Sequence, residues 1–156
     1  MSTVADPKIL FSDFGRKLGI PGLALDDNNA IRLSFDEIII DAQYDPEKKH
    51  LVLLSILGDF PATNNSEVYA NLLEVNLAGL LVGSGAVGLD RQENRLIYVD
   101  HLSFEGLTQE SFEEFFRKSV NVAEAWRNLI NSREFGVASS QSASSPPDEE
   151  FASLRV

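Results

Sequence analysis

The chain has 156 residues, the length of one domain, and no cysteine, which excludes a disulfide framework, thiolate metal sites and a cysteine nucleophile. With 13 Lys+Arg against 24 Asp+Glu the formal net charge is −11, which repels phosphate backbones, so nucleic acid is not an expected partner. Hydrophobic residues make up 44%, enough for a core, yet no stretch approaches the roughly 20 apolar residues that cross a bilayer, which reads as a soluble cytoplasmic protein without membrane insertion.

Asp6-Pro7 is a helix start, a capping carboxylate followed by a proline at the first helical position. Ile9, Leu10, Phe14 and Leu18 recur at three-to-four-residue steps before Gly19, which predicts an amphipathic helix of about 12 residues. Ile31, Leu33 and Phe35 alternate with Arg32 and Ser34 as in a half-buried strand, and Asp36-Glu37 reads as a tight reversal. Ile38 to Tyr44 and Leu51 to Leu57 are further strands, separated by the turn Asp45-Pro46-Glu47-Lys48. Ile38, Ile39 and Ile40 in succession place isoleucine on both sheet faces, so a sheet covered on one side would expose one of them.

Ser66 caps a helix in which Val68, Tyr69, Leu72, Leu73, Val75, Leu77, Leu80 and Leu81 exceed one stripe, predicting two buried faces, one on its own sheet and one on a second subunit. After Gly83 to Gly88, Ala86–Asp90 and Arg95–His101 form a hairpin around Arg91-Gln92-Glu93-Asn94. Thr108 caps a last helix with Phe112, Phe115, Phe116, Val120, Ala123, Trp126 and Ile130 on its apolar stripe. The expected fold is α+β, an antiparallel sheet covered by helices in the order α-β-β-β-α-β-β-α, over residues 1–136. Residues 137–156, with five serines between 139 and 148 and the pair Pro146-Pro147, read as a flexible acidic tail.

Gly83-Ser84-Gly85-Ala86-Val87-Gly88 spells a dinucleotide fingerprint, but that chemistry needs a strand before the glycines and a helix after them, and the order is reversed. A helix terminus bending into a strand is the plainer reading. A small nucleotide-binding protein or enzyme using this bend stays as the alternative. His50 and His101 have no metal-ligand spacing, and no Ser/His/Asp order suggests a nucleophile, so no catalytic residue, metal or cofactor is assigned. The pairs Asp26-Asp27, Asp36-Glu37 and Glu113-Glu114 read as solvated surface. Asn64-Asn65-Ser66 spells a glycosylation acceptor but, without a secretory signal, reads as the loop before a capped helix.

The segment Leu72-Leu73-Glu74-Val75-Asn76-Leu77, the Gly83–Gly88 bend, Leu89-Asp90, Leu96-Ile97-Tyr98-Val99, Leu107-Thr108 and the Phe112–Trp126 helix, in that order and over about residues 6–133, resemble the class I type III secretion chaperones, the Tir-chaperone family. The resemblance implies a homodimeric chaperone of bacterial cytoplasm that is not an enzyme. Such a chaperone holds the N-terminal segment of secreted effectors extended and presents it to the secretion apparatus and its ATPase. It further implies an effector-binding patch of Ile9, Leu10, Phe14 and Leu18 with Ile31, Leu33, Phe35, Ile38 and Ile40. The implied dimer interface comprises Leu73, Leu77, Leu80 and Leu81 with Leu96, Tyr98 and Val99. A purely structural dimerising subunit is a third reading.

Overall fold

The computed structural model describes residues 4–61 and 66–132. The 137–156 tail and the Asn64-Asn65 pair lie outside those residues. Within them the elements are α1 (Pro7–Leu18), β1 (Ala30–Phe35), β2 (Ile38–Asp45), β3 (His50–Asp59), α2 (Ser66–Leu81), β4 (Ala86–Asp90), β5 (Arg95–Ser103) and α3 (Gln109–Asn131).

The helix ends form where side chains satisfy orphan backbone groups. Asp6 accepts from the Lys8 N–H at 2.8 Å with Pro7 behind it, and Gly19 closes α1 at φ +72°, a conformation glycine adopts without Cβ strain. Thr108 caps the 23-residue α3 by accepting from the Ser111 N–H at 3.2 Å. The turns between strands use the same device. Asp45 accepts from the Glu47 and Lys48 N–H groups, and Asp90 from those of Gln92 and Glu93.

The five strands form one antiparallel sheet in the order β1-β2-β3-β5-β4. Register follows the alternation: Leu33 faces Ile40, Ala42 faces Leu53, and Leu53 faces Asp100. Those residues share the face that α1 and α3 cover. Leu33, Ile38, Ile40, Leu51, Leu53, Leu57, Leu96 and Tyr98 are all buried there against Phe11, Phe14, Phe112 and Phe116. The phenylalanine cluster interlocks, Phe11 meeting Phe112 edge-on at 5.0 Å and Phe14 meeting Phe116 at 5.1 Å. Full burial of each such ring stabilises by about 1.5–3 kcal/mol, so these four residues dominate the α1–α3 contact.

Among the described residues no helix lies over the opposite face. Ile39, Leu54 and Ile56 remain exposed, flanked by half-buried Val52, Ile97 and Val99. Of the three successive isoleucines, Ile39 is the one left outside.

Within the single chain the helix α2 buries one of its two apolar faces, and the face expected to meet a second subunit is open. Only Val68 and Leu72 are buried, and its packing is against β4 at the sheet edge. Leu73, Leu77, Leu80 and Leu81, together with Val82, stay open at 61–79% exposure.

Candidate functional site

Sheet edges, apolar grooves and uncovered stripes are where this molecule can take a partner, and they are built by identifiable residues. The β1–β2 hairpin turns through Asp36-Glu37, with Asp36 at φ +51° and Phe35 opposite Ile38. In a two-residue hairpin the flanking pair is hydrogen-bonded, so every second residue of β1 bonds inward; the Tyr44 N–H donating to the Asn29 carbonyl at 2.8 Å extends that phase. The residues between them, Ala30, Arg32 and Ser34, direct their backbone groups outward. Asp26 already takes Ala30: its Oδ1 accepts from the Ala30 N–H, and its own N–H donates to the Ala30 carbonyl, both at 2.8 Å. Among the described residues nothing pairs with the outward groups of Arg32 and Ser34, which leaves two successive strand positions open.

The other edge, β4, is treated differently. Asn76 of α2 donates from Nδ2 to the Val87 carbonyl at 2.8 Å and accepts at Oδ1 from the Val87 N–H at 2.7 Å. One side-chain amide thus occupies both outward groups in the middle of that strand.

Beside the open edge lies a groove of about 450 Å³ between α1, α3 and the end of β1. Phe14 and Phe116 form its floor, with Leu18, Phe35 and Val120 as its apolar walls. Lys17 donates to Glu113 at 2.8 Å across the rim, and Arg117 pairs with Glu114 beside it. Glu113 is held below the usual carboxylate range by its bonds from Lys17 and Gln109. A second, larger depression of about 770 Å³ lies on the uncovered face over β1–β3. Its walls include Arg32, Asp41, Gln43, Val52 and Leu54, with Arg32 and Asp41 joined at 2.6 Å.

Of the nine residues assigned to an effector-binding patch, Phe14, Leu18 and Phe35 line the groove, Ile31 is half-buried and Ile9 is exposed at 60%. Leu10, Leu33, Ile38 and Ile40 are a correction. All four are buried in the protomer's own core, because the alternation of β1 and β2 puts them on the helix-covered face and the α1 stripe turns Leu10 inward. Leu96 and Tyr98 are a second correction: both are fully buried, whereas Val99 lies on the uncovered face and Leu73, Leu77, Leu80 and Leu81 are exposed. The α3 contribution to the groove, Phe116 and Val120, was missed because a helical stripe looks the same whether it fills a core or floors a groove.

The glycine-rich bend is explained by packing. A Cβ on Gly85 would stand 2.4 Å from the Val99 carbonyl and 3.0 Å from the Asp100 side chain. The Ser84 carbonyl accepts from the Tyr98 hydroxyl at 3.1 Å, and the Gly83 carbonyl from Lys118 Nζ at 2.8 Å. The bend is therefore a stapled helix terminus with its carbonyls turned to the protein, the reverse of a phosphate cradle, which presents N–H groups. Burial pushes the Tyr98 phenol up, and neighbouring Asp100, which accepts from it at 2.9 Å, adds to the shift. His50 and His101 sit diagonally on the uncovered face, and no cluster of three metal-type ligands occurs among the described residues. Nor, among them, is any helix long and apolar enough to cross a membrane.

The fold is shared with solved structures. A chain of the HopA1–SchA chaperone–effector complex matches with a TM-score of 0.65 at 21% identity, covering 78% of this chain and 92% of that one. The Yersinia pestis type III secretion chaperone SycH in complex with a stable fragment of YscM2 gives 0.61 at 19%, covering 78% and 99%. YbjN from E. coli gives 0.58 at 18%, covering 83% and 94%, so the fold alone does not decide the family. No curated protein sequence matches significantly. The model of the Tir chaperone protein (CesT) family matches residues 10–127. The chain belongs to that family. As a Tir-family chaperone it has the family's α+β sheet, and the matched span includes the open edge, the groove and the leucine face of α2.

Proposed function

We propose that this Tir-family protein is a chaperone for type III secretion effectors, holding an extended N-terminal effector segment on its surface in the bacterial cytoplasm. The observation that carries the reading is the adjacency of Arg32 and Ser34, whose outward backbone groups are unclaimed among the described residues, to the groove of Phe14, Leu18, Phe35, Phe116 and Val120. Main-chain bonds at an edge strand accept many sequences, while a pocket for alternate side chains supplies selectivity. Ordering an unfolded segment costs about 2–5 kcal/mol, so a line of contacts suits the task better than one small site.

The exposed leucines of α2 support a homodimer. Two subunits of charge −11 repel, so their union needs apolar burial, and Leu73, Leu77, Leu80 and Leu81 provide it on one helix. Delivery to the secretion ATPase belongs to the same reading.

The test is co-expression with effectors encoded beside the chaperone, followed by limited proteolysis. An N-terminal effector segment should be protected. Leu18→Asp, on the groove wall, and Ser34→Pro, which deletes an outward N–H on an edge strand, should each abolish protection while the fold persists. Protection unchanged in both variants would remove the edge and groove from the binding site. Leu77→Asp with Leu80→Asp should convert the dimer to folded monomer in sedimentation; an undisturbed dimer would exclude α2 from the interface.

A further inference from the structure

The groove between α1 and α3 has a candidate occupant within the same chain. Residues 133–156 follow α3 directly and contain a stretch unlike anything in the described body, Asp148-Glu149-Glu150-Phe151-Ala152-Ser153-Leu154-Arg155-Val156. Three acids precede an aromatic and two aliphatic residues. Between Val137 and Phe151 no large apolar side chain occurs, so the sequence has the form of a polar connector followed by an anchor.

We infer that the Glu149–Leu154 segment docks in the protein's own α1–α3 groove, with Phe151 among Phe14, Phe35 and Phe116 and its carboxylates on Lys17 and Arg117. Charge complementarity selects this location. The chain carries −11, so an acidic segment is repelled by most of its surface, whereas two cations, Lys17 and Arg117, line this groove. Their partners Glu113 and Glu114 neutralise them singly, and the five donors of the Arg117 guanidinium leave room for a second carboxylate. The groove volume of about 450 Å³ suits a small group of side chains.

Geometry permits the docking. Ser132 lies twelve residues beyond Val120, roughly 18 Å along the axis at about 1.5 Å per residue. The nineteen-residue connection from Ser132 to Phe151 has a root-mean-square span of about 25 Å, from 5–6 Å multiplied by √19. A connector whose mean length matches the gap gives nearly the maximal effective concentration, on the order of millimolar, so modest contacts suffice. The docked segment covers Leu18 and Phe35. That it competes with effectors rests on the function proposed above; the docking itself does not.

Because the protein has no cysteine, a spin label on Ser145→Cys in the full-length chain reports the segment cleanly. Methyl resonances of Leu18 and Val120 should lose more than half their intensity, and adding Phe151→Asp with Leu154→Asp should restore them. Unchanged intensities, or broadening at Leu77 and Leu80 or at Ile39 and Ile56 instead, would overturn the inference. Mixing spin-labelled chain with isotope-labelled, spin-free chain should leave Leu18 and Val120 sharp; broadening there would assign the segment to a second copy and defeat the intramolecular claim. No effector is used, so these outcomes are independent of client binding. In a separate titration with a co-purified effector segment, the double Asp variant should bind on the order of tenfold more tightly if the groove is nine-tenths occupied. Docking without any gain in affinity would count against the groove as the effector site and leave the docking standing.

Discussion

The side-chain amide of Asn76 bonds both outward backbone groups of Val87, its Nδ2 donating to the carbonyl at 2.8 Å and its Oδ1 accepting from the N–H at 2.7 Å. A helix residue thus does for the middle of β4 what a neighbouring strand would do. An edge strand with free groups is a template for unwanted pairing, and this one is shielded while β1 is left open. The contrast between the two edges gives the molecule a direction in which to accept an added strand.

Replacing Asn76 by Ala leaves a donor and an acceptor on buried Val87 without partners. At about 1–3 kcal/mol for each unsatisfied group, partly relieved by water, the expected loss is roughly 2–4 kcal/mol, or about 5–15 °C in Tm for a chain of this size. Thermal melts followed by circular dichroism measure it, and light scattering should show earlier aggregation because a second edge is exposed. A Tm within 2 °C of the parent would mean the pair is dispensable.

Leu33 and Ile39 separate the two sheet faces. Leu33 is 4% exposed beneath α1 and α3, so Leu33→Asp buries an unpaired carboxylate and should eliminate the cooperative unfolding transition. Ile39, 48% exposed on the uncovered face, should accept Asp with a change within about 0.5 kcal/mol, read from urea midpoints. Equal damage at both positions would show that Ile39 is covered in solution, as by a second protein.

The same two residues mark what the sequence could and could not disclose. Asp6-Pro7, Gly19, Thr108 and the alternation of Ile31, Leu33 and Phe35 announce elements because capping and pleating act locally, and all eight elements appear in the predicted order. Which alternate residues face outward is not local. Ile38, Ile39 and Ile40 are chemically alike, and only the position of α3 over the sheet makes two of them core and one surface. Phe116 reads as core from its spacing, yet it also floors the groove, because a groove is the place where a neighbouring helix stops short. A signal was available for Asn76, which stands between Val75 and Leu77, since a polar residue flanked by apolar ones implies a backbone partner nearby, although Asn71 in the same helix carries a similar signal.

Gly85 and Gly83 have nearly the same positive φ, +66° and +65°, but different surroundings. Gly83→Ala meets nothing within 4 Å and should cost only the left-handed backbone penalty, about 1–2 kcal/mol. Gly85→Ala adds a collision with the Val99 carbonyl, a backbone atom that cannot give way without moving β5, and should cost more than about 3 kcal/mol in total. Urea unfolding of the two variants gives the comparison directly. Thermal shift against a nucleotide panel should be flat for the parent and both variants; saturable stabilisation lost only in Gly85→Ala would restore a ligand role to the bend.

Acid should unfold this protein through a small set of carboxyls. Asp45 is held below the usual carboxylate range by the Lys48 and Glu47 N–H groups, Asp90 by those of Glu93 and Gln92 and by Arg95, and Glu113 by Lys17 and Gln109. A group whose folded pKa is depressed lets the unfolded chain bind more protons near pH 4. Its stabilisation is complete above the unfolded values of about 3.9–4.3 and disappears as pH falls through the folded ones. The net charge of −11 acts in the opposite sense, because self-repulsion eases as pH drops from 7 toward the isoelectric point near 4.5. Tm should therefore hold or rise from pH 7 to about 5 and fall below about 4. Glu113→Gln keeps a neutral acceptor for Lys17 at every pH, so its Tm should start lower at neutrality and decline less steeply in acid. Melts at half-unit steps from pH 7 to 3 decide the matter: parent and variant curves that stay parallel below pH 4 would show that the Lys17–Glu113 bridge between α1 and α3 contributes nothing to acid sensitivity.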